Sequence, residues 1–199
     1  MEGMGSIKIK YLFEKRKGRG TIVTGIELFL NNRIYGPEQH PYGWEKFVYD
    51  DENIHYALLQ LLAERSPNFA QTLLSLTYLP HNVSVILKPE QGLFDLKFIV
   101  DNVPFYCEVK VWAILSENQL VRQVDFLKEQ DARGVYVLFT KAAAAWSSSD
   151  ISEQSQGRCR TVGIEELVDA LKSISNVSSE VAEVAAAYHR ALTSLDSRY

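Results

Sequence analysis

Two acidic residues, Asp95 and Glu108, lie thirteen positions apart on two apolar-rich runs, residues 93–100 and 103–111. The pair Asp101-Asn102 separates the runs and is typical of a two-residue hairpin loop. Counting back from such a loop along both strands places Asp95 opposite Glu108. The sequence therefore predicts two carboxylates on one side of a sheet, with Cβ atoms roughly 4.5–5.5 Å apart.

Lys110 lies two residues beyond Glu108 and shares its face, because side chains alternate between the two faces of a strand. Like charges directly opposed destabilise a sheet, so we expect a divalent cation between the two carboxylates. Two alternatives stay open. A loop of three or five residues would shift one carboxylate relative to the other, and the charges could instead form an exposed cluster in which Lys110 compensates both acids.

The composition is that of an ordinary globular protein. The chain has 199 residues, a formal net charge of −4, 46% hydrophobic residues and 23% charged residues. No apolar run approaches the ~20 residues that cross a bilayer, so no membrane partner is expected. Cys107 and Cys159 are too few for a disulfide framework, which favours a reduced, cytoplasmic setting. The chain has no CxxC or HExxH motif, so a zinc site is not expected.

Hydrophobic periodicity separates a β-rich N-terminal part from a region of alternating helices and strands. Residues 1–50 predict an N-terminal β-rich extension or ribbon. Helices are expected at 51–66, 69–78, 116–129, 164–174 and 181–195, and strands at 83–87, 93–100, 103–111, 134–140 and 158–162. The Ala/Ser/Gln stretch 142–157 is expected to be a mobile loop.

This order of elements predicts an α/β fold, with a central mixed β-sheet flanked by helices. The helix at 116–129 begins with a capping box formed by Ser116 and Gln119. It permits a right-handed crossover that makes the strands on either side of it parallel. We expect three units, namely the extension 1–50, a core 51–175 and a C-terminal helix in 176–199.

A helix, a three-strand meander holding Asp…Glu-x-Lys, a second helix and a strand together resemble the core of the PD-(D/E)xK nuclease superfamily, the restriction-endonuclease-like fold. The matching residues are Phe94-Asp95 and Glu108-Val109-Lys110. The similarity spans residues 51–140 and extends to 158–174. This chain departs from the motif at Phe94, where the family name places a proline.

The resemblance implies hydrolysis of DNA phosphodiester bonds at a Mg²⁺ or Mn²⁺ ion, leaving a 5′-phosphate and a 3′-hydroxyl. Asp95 and Glu108 would ligate the ion, together with the carbonyl of Val109. Lys110 would orient the attacking water and offset negative charge in the transition state.

A helix glutamate usually completes such a site, and this chain offers Glu52 and Glu64 without deciding between them. His55 and Gln60 are other occupants of that helix. Some family members place a glutamine against the lysine. The candidates for that role are Gln123 and Gln119, which lie one turn apart on one helical face.

A basic segment, residues 8–19, includes Lys15, Arg16, Lys17 and Arg19. These side chains could contact nucleic-acid phosphates or form a solvated hairpin that guards a sheet edge. We expect the ribbon to position the DNA backbone or to form a homodimer. Two other functions stay open: a catalytically inactive nuclease-like fold that binds nucleic acid or serves assembly, and an unrelated α+β scaffold. The sequence leaves DNA and RNA, and endonuclease and exonuclease, undecided.

Overall fold

The computed structural model describes residues 52–111, 114–139 and 147–196. The expected N-terminal extension lies outside these ranges, with its basic residues Lys15, Arg16, Lys17 and Arg19. The division of the chain at residues 50 and 175 stays a prediction. The expected α/β class is confirmed, since a mixed five-stranded sheet lies between helices.

The strands follow one another across the sheet in chain order. They are β1 (Val83–Leu87), β2 (Leu96–Val100), β3 (Val103–Lys110), β4 (Arg133–Leu138) and β5 (Cys159–Val162). The first three form an antiparallel meander, and β4 and β5 continue it in parallel. The predicted parallel pairing around the crossover helix is therefore confirmed.

Six α-helices accompany the sheet in the described ranges: α1 (Glu52–Arg65), α2 (Pro67–Leu74), α3 (Glu117–Glu129), α4 (Ser148–Gln154), α5 (Ile164–Lys172) and α6 (Ser179–Asp196). Ser66 separates α1 from α2, because its hydroxyl accepts the N–H of Phe69 and so caps the second helix. Pro67 occupies the first turn, where its missing N–H removes no helical bond. None of these described helices is long and apolar enough to cross a membrane.

The β2–β3 hairpin has the predicted register, with Val100 opposite Val103. Asp101 and Asn102 have φ values of 48° and 71°, and two positive values in succession are what a type I′ turn requires. This turn matters for the site, because a slip of one residue would move every β3 side chain to the other face.

The two faces of the sheet carry separate apolar cores. Cys107 and Val109 belong to the core formed with α1, α2, α5 and α6, whereas Tyr106 packs in the core formed with α3 and α4. Strand alternation therefore directs Glu108 and Lys110 to the α3 face. The C-terminal helix α6 belongs to the first core, where Tyr188 is fully buried.

The expectation of a loop over residues 142–157 is wrong for Ser148–Gln154, which forms α4. A capping box between Ser147 and Asp150 begins this helix. Ile151 is buried against the α3 core. One buried residue in a run of Ser and Gln gives no hydrophobic period, which is why the sequence pattern did not indicate a helix.

Candidate functional site

Glu108 is buried on the face covered by α3, with 3% of its surface exposed. Gln119 Nε2 donates to its Oε1 at 2.7 Å, and Gln123 Nε2 donates to its Oε2 at 2.8 Å. The Lys110 ammonium lies 2.7 Å from Oε1. Three donors from two elements therefore hold the carboxylate in one orientation, as a preorganised site requires.

Gln123 joins Glu108 to the chain that leads into β2. Its Nε2 also donates to the carbonyl of Leu93 at 2.7 Å, so both amide hydrogens are used. This fixes the orientation of the amide, because the reversed orientation would set its oxygen against two acceptors. Gln123 Oε1 is buried and has no hydrogen-bond partner among the described atoms, which leaves an acceptor that a water in the site could satisfy.

Gln119 forms only one half of the predicted capping box. Its backbone N–H donates to the Ser116 hydroxyl at 3.3 Å, which confirms Ser116 as the N-cap of α3. Its side-chain amide instead donates to Glu108. Both glutamines predicted from the helical face therefore contact the same carboxylate.

Asp95 immediately precedes β2, and only 6% of its surface is exposed. Its Oδ2 accepts the backbone N–H of Val109 at 2.9 Å. Its Oδ1 forms an ion pair with the ammonium of Lys88. Asp95 therefore contacts the backbone between Glu108 and Lys110.

The predicted pairing of Asp95 directly opposite Glu108 needs correction. The β2–β3 ladder ends at Leu96 and Cys107, one pair short of the two acids. The Asp95 N–H donates to the Cys107 carbonyl at 3.0 Å, so the hydrogen bonding at Asp95 is shifted by one residue relative to the ladder. The physical reason is that the Asp95 carboxylate takes the place of a backbone acceptor for the N–H of Val109.

The two acids still interact electrostatically. Burial raises the pKa of the Glu108 carboxyl above its ordinary value, and the negative charge of Asp95 raises it further. Lys110 and Gln123 oppose this rise. Tyr136 on β4 pairs with Glu108 on β3 and is fully buried. Burial raises the pKa of its phenol, so the Tyr136 side chain stays uncharged.

The oxygen donors suit a hard divalent cation, which prefers carboxylates and carbonyls. The N–H and C=O of a strand residue point to the same side, so the Val109 carbonyl lies on the β2 side of β3, as its N–H does. The described ranges contain no cluster of three or more His, Cys, Asp or Glu suited to a metal. A third protein ligand would therefore be this carbonyl or a side chain that the structure does not describe. Glu52 begins α1, but its side chain is not among those described.

Other residues of α1 considered from the sequence contact the fold elsewhere. Glu64 Oε1 accepts the N–H of Val85 at 2.9 Å, and Gln60 Nε2 donates to the Val85 carbonyl at 3.1 Å. These two side chains cover the backbone of β1, the edge strand of the sheet that the described residues form. His55 is fully buried and shares a hydrogen bond of 2.6 Å with the Tyr188 hydroxyl. Glu52 thus remains a candidate to complete the site.

Lys88 is the residue of the site that the sequence analysis missed. It follows β1, and continuing the β1–β2 register beyond Leu87 and Leu96 places it beside Asp95. The signal that could have identified it is a lysine directly after β1, because β1 pairs with β2, the strand that follows Asp95. That signal depends on the register between β1 and β2, which the sequence pattern alone did not establish.

No family model matches the chain, and searches of curated proteins and of solved structures likewise found no match. The assignment of a function therefore depends on the contacts of these residues.

Proposed function

We propose that this chain is a metal-dependent nuclease that hydrolyses nucleic-acid phosphodiester bonds, with DNA the favoured substrate, and that it is related to the PD-(D/E)xK superfamily. The order of elements supports this proposal. A helix, an antiparallel meander, the helix α3 and the parallel strand β4 follow one another as the resemblance implies. The residues at the motif positions lie close together. Lys110 contacts Glu108 directly, and Asp95 accepts the N–H of Val109, the residue between them.

The observation that carries the proposal is the burial of two carboxylates beside one another. Glu108 is held by Gln119 and Gln123 and contacts Lys110, and Asp95 is held by the backbone of Val109. Burying acids costs free energy unless other groups compensate their charge. Buried carboxyls with a raised pKa, such as Glu108, are common at functional sites, and here the oxygens of Asp95 and Glu108 suit a divalent ion.

In the proposed mechanism, Asp95, Glu108 and the Val109 carbonyl would hold Mg²⁺ or Mn²⁺. Such an ion, when bound, lowers the pKa of a coordinated water and neutralises charge on the phosphate. Lys110 orients the attacking water by hydrogen bonding, and its positive charge offsets the charge that develops in the transition state. Gln123 keeps Glu108 in position, which reduces the reorganisation needed during the reaction.

The proposal extends to partners and setting. Lys15, Arg16, Lys17 and Arg19 would contact DNA phosphates, and the N-terminal ribbon would position the DNA or mediate a homodimer. Cys107 and Cys159 are buried free thiols, which suits a reducing, cytoplasmic setting.

A second candidate function is a nuclease-like fold without catalysis that binds nucleic acid or serves assembly. One observation favours it. The oxygens of Asp95 and Glu108 already contact protein donors, including the ammonium groups of Lys88 and Lys110. Such a set of pairs compensates the buried acids without any metal ion.

A cleavage assay distinguishes the two functions. The protein is freed of metal with EDTA and then supplied with Mg²⁺ or Mn²⁺, and plasmid and linear duplex DNA are tested. We expect cleavage to require added metal and to disappear in Asp95→Asn and in Glu108→Gln. Cleavage that continues unchanged in EDTA would contradict the mechanism. DNA binding without cleavage in the presence of either metal ion would favour the second function, a nuclease-like fold that binds nucleic acid without catalysis.

A further inference from the structure

Lys88 contacts Asp95 through both its backbone and its side chain. Its N–H donates to the Asp95 carbonyl at 2.8 Å, and its ammonium forms an ion pair with Asp95 Oδ1. The ammonium also lies 4.2 Å from the centroid of the Tyr56 ring, within the range of a cation–π contact. The Lys88 side chain is 48% exposed, so its ammonium becomes hydrated when it leaves the carboxylate.

The segment that carries Lys88 has an unusual backbone. Lys88, Glu90 and Gln91 have φ values of 49°, 50° and 57°, and Gly92 has 86°. The left-handed region is unfavourable for a residue with a Cβ atom, which comes close to the following carbonyl oxygen. Such conformations concentrate at functional sites, where the surrounding structure holds them in place. Here the strained segment brings an ammonium to Asp95.

Lys88 occupies the oxygen of Asp95 that a metal ion would need. The other oxygen, Oδ2, accepts the N–H of Val109 as part of the fold, so Oδ1 is the atom open to exchange. The two carboxylates are already balanced by two ammonium groups. A divalent ion at the same oxygens would add excess positive charge to a buried site, which is relieved when one ammonium moves out. Lys88 can do so more easily than Lys110, whose side chain is 13% exposed.

We propose that Lys88 is a tethered cation that occupies Oδ1 of Asp95 until a divalent ion displaces it. This inference rests on the proposed function, because it assumes that Asp95 is a metal ligand. Without metal, Lys88 prevents Asp95 from being buried as an unpaired charge. With metal, the ammonium and the ion compete for one oxygen, so Lys88 lowers the divalent-ion affinity of the site.

Calorimetric titration of the full chain with Mn²⁺ tests the competition. Lys88→Met removes the ammonium, and we expect Mn²⁺ to bind this variant about fivefold to tenfold more tightly than the wild type. That range follows when an ion pair worth roughly 1 kcal/mol no longer competes. Lys97→Met is the matched control. Lys97 lies on β2 and pairs with Glu90 at 3.4 Å, so its loss should change the Mn²⁺ affinity by less than about twofold.

A second variant and a second readout guard against a folding defect. Lys88→Gly also removes the ammonium, and glycine accepts the positive φ at this position without strain. We expect it to bind Mn²⁺ more tightly as well. In urea unfolding, the stability difference between wild type and Lys88→Met should shrink when Mn²⁺ is saturating, because the displaced ammonium no longer stabilises the fold.

The outcomes separate this inference from the proposed function. Wild-type binding of Mn²⁺ with equal or weaker binding by both Lys88 variants would overturn the role of Lys88 and leave the metal site standing. Absence of Mn²⁺ binding by the wild type would overturn both. A stability difference that Mn²⁺ does not change would also contradict displacement of the ammonium.

Discussion

The backbone N–H of Val109 donates a hydrogen bond of 2.9 Å to Oδ2 of Asp95. This bond joins the start of β2 to β3 between Glu108 and Lys110, and so sets the first acid beside the Glu-x-Lys triplet. It also leaves Asp95 Oδ1 to a cation, whether the ammonium of Lys88 or a metal ion. The backbone ladder between β2 and β3 ends at Leu96, and the Asp95 side chain continues the hydrogen bonding beyond it.

Lys110→Ala should abolish DNA cleavage while Mn²⁺ binding persists. The ammonium contacts Glu108 but supplies no metal ligand, and loss of such a group typically lowers the rate by about 10²–10⁴-fold. Single-turnover cleavage and Mn²⁺ calorimetry on the same preparation measure the two effects. Lys97→Ala is the control, because its side chain lies over Tyr106 and pairs with Glu90. Full activity in Lys110→Ala would exclude a catalytic role for this lysine.

Gln123→Met should destabilise the protein by about 1–3 kcal/mol, because the buried Glu108 Oε2 and the Leu93 carbonyl would both lose their donor. Gln119→Met is the comparison. Gln119 is only half buried, and among the described residues its side chain donates to Glu108 alone, so its loss should cost less. Urea unfolding measures both variants without metal. A smaller effect at Gln123 than at Gln119 would contradict the bridging role of Gln123.

Glu64→Gln should leave Mn²⁺ binding unchanged, because Glu64 contacts the backbone of Val85. The glutamine oxygen can still accept that N–H, so stability should change little. Glu64→Ala should destabilise the edge strand by about 1 kcal/mol, since the N–H of Val85 loses its acceptor. Calorimetry and urea unfolding test both variants. Loss of Mn²⁺ binding in Glu64→Gln would contradict this expectation and would indicate that Glu64 is a metal ligand.

Stability should fall as the pH rises through the range just above 4.5, the ordinary pKa of a glutamic acid. Glu108 has a raised pKa in the folded state, so the folded protein binds more protons than the unfolded chain in that range. The free energy of unfolding therefore decreases with increasing pH wherever this group is titrating. Glu108→Gln cannot titrate and should show a smaller decrease. Metal-free urea unfolding from pH 4.5 to neutrality gives the two slopes, and equal slopes would disprove the link to Glu108.

Local sequence patterns predicted the parts of the fold that depend on neighbouring residues. The pair Asp101-Asn102 indicated the hairpin because two positive φ values favour these residue types, and Ser116 indicated the start of α3. Strand alternation placed Glu108 and Lys110 on one face, and both glutamines of α3 do contact Glu108.

The remaining features depend on contacts that no local pattern encodes. Lys88 reaches Asp95 because β1 pairs with β2 and because the backbone turns through left-handed conformations, for which Lys88, Glu90 and Gln91 give no signal. The shift at Asp95 arises because a side chain replaces a backbone acceptor. Glu64 faces the edge of β1, a relationship set by how α1 packs on the sheet.

Crystals of the full chain grown with Mn²⁺ would test the central claim most directly, by anomalous scattering from the ion. We predict a peak at coordination distance from Asp95 Oδ1, a Glu108 carboxylate oxygen and the Val109 carbonyl, with the Lys88 ammonium withdrawn from Asp95. A structure that shows no Mn²⁺ there, with Lys88 still paired to Asp95 at saturating metal, would contradict the claim that these acids hold a catalytic ion.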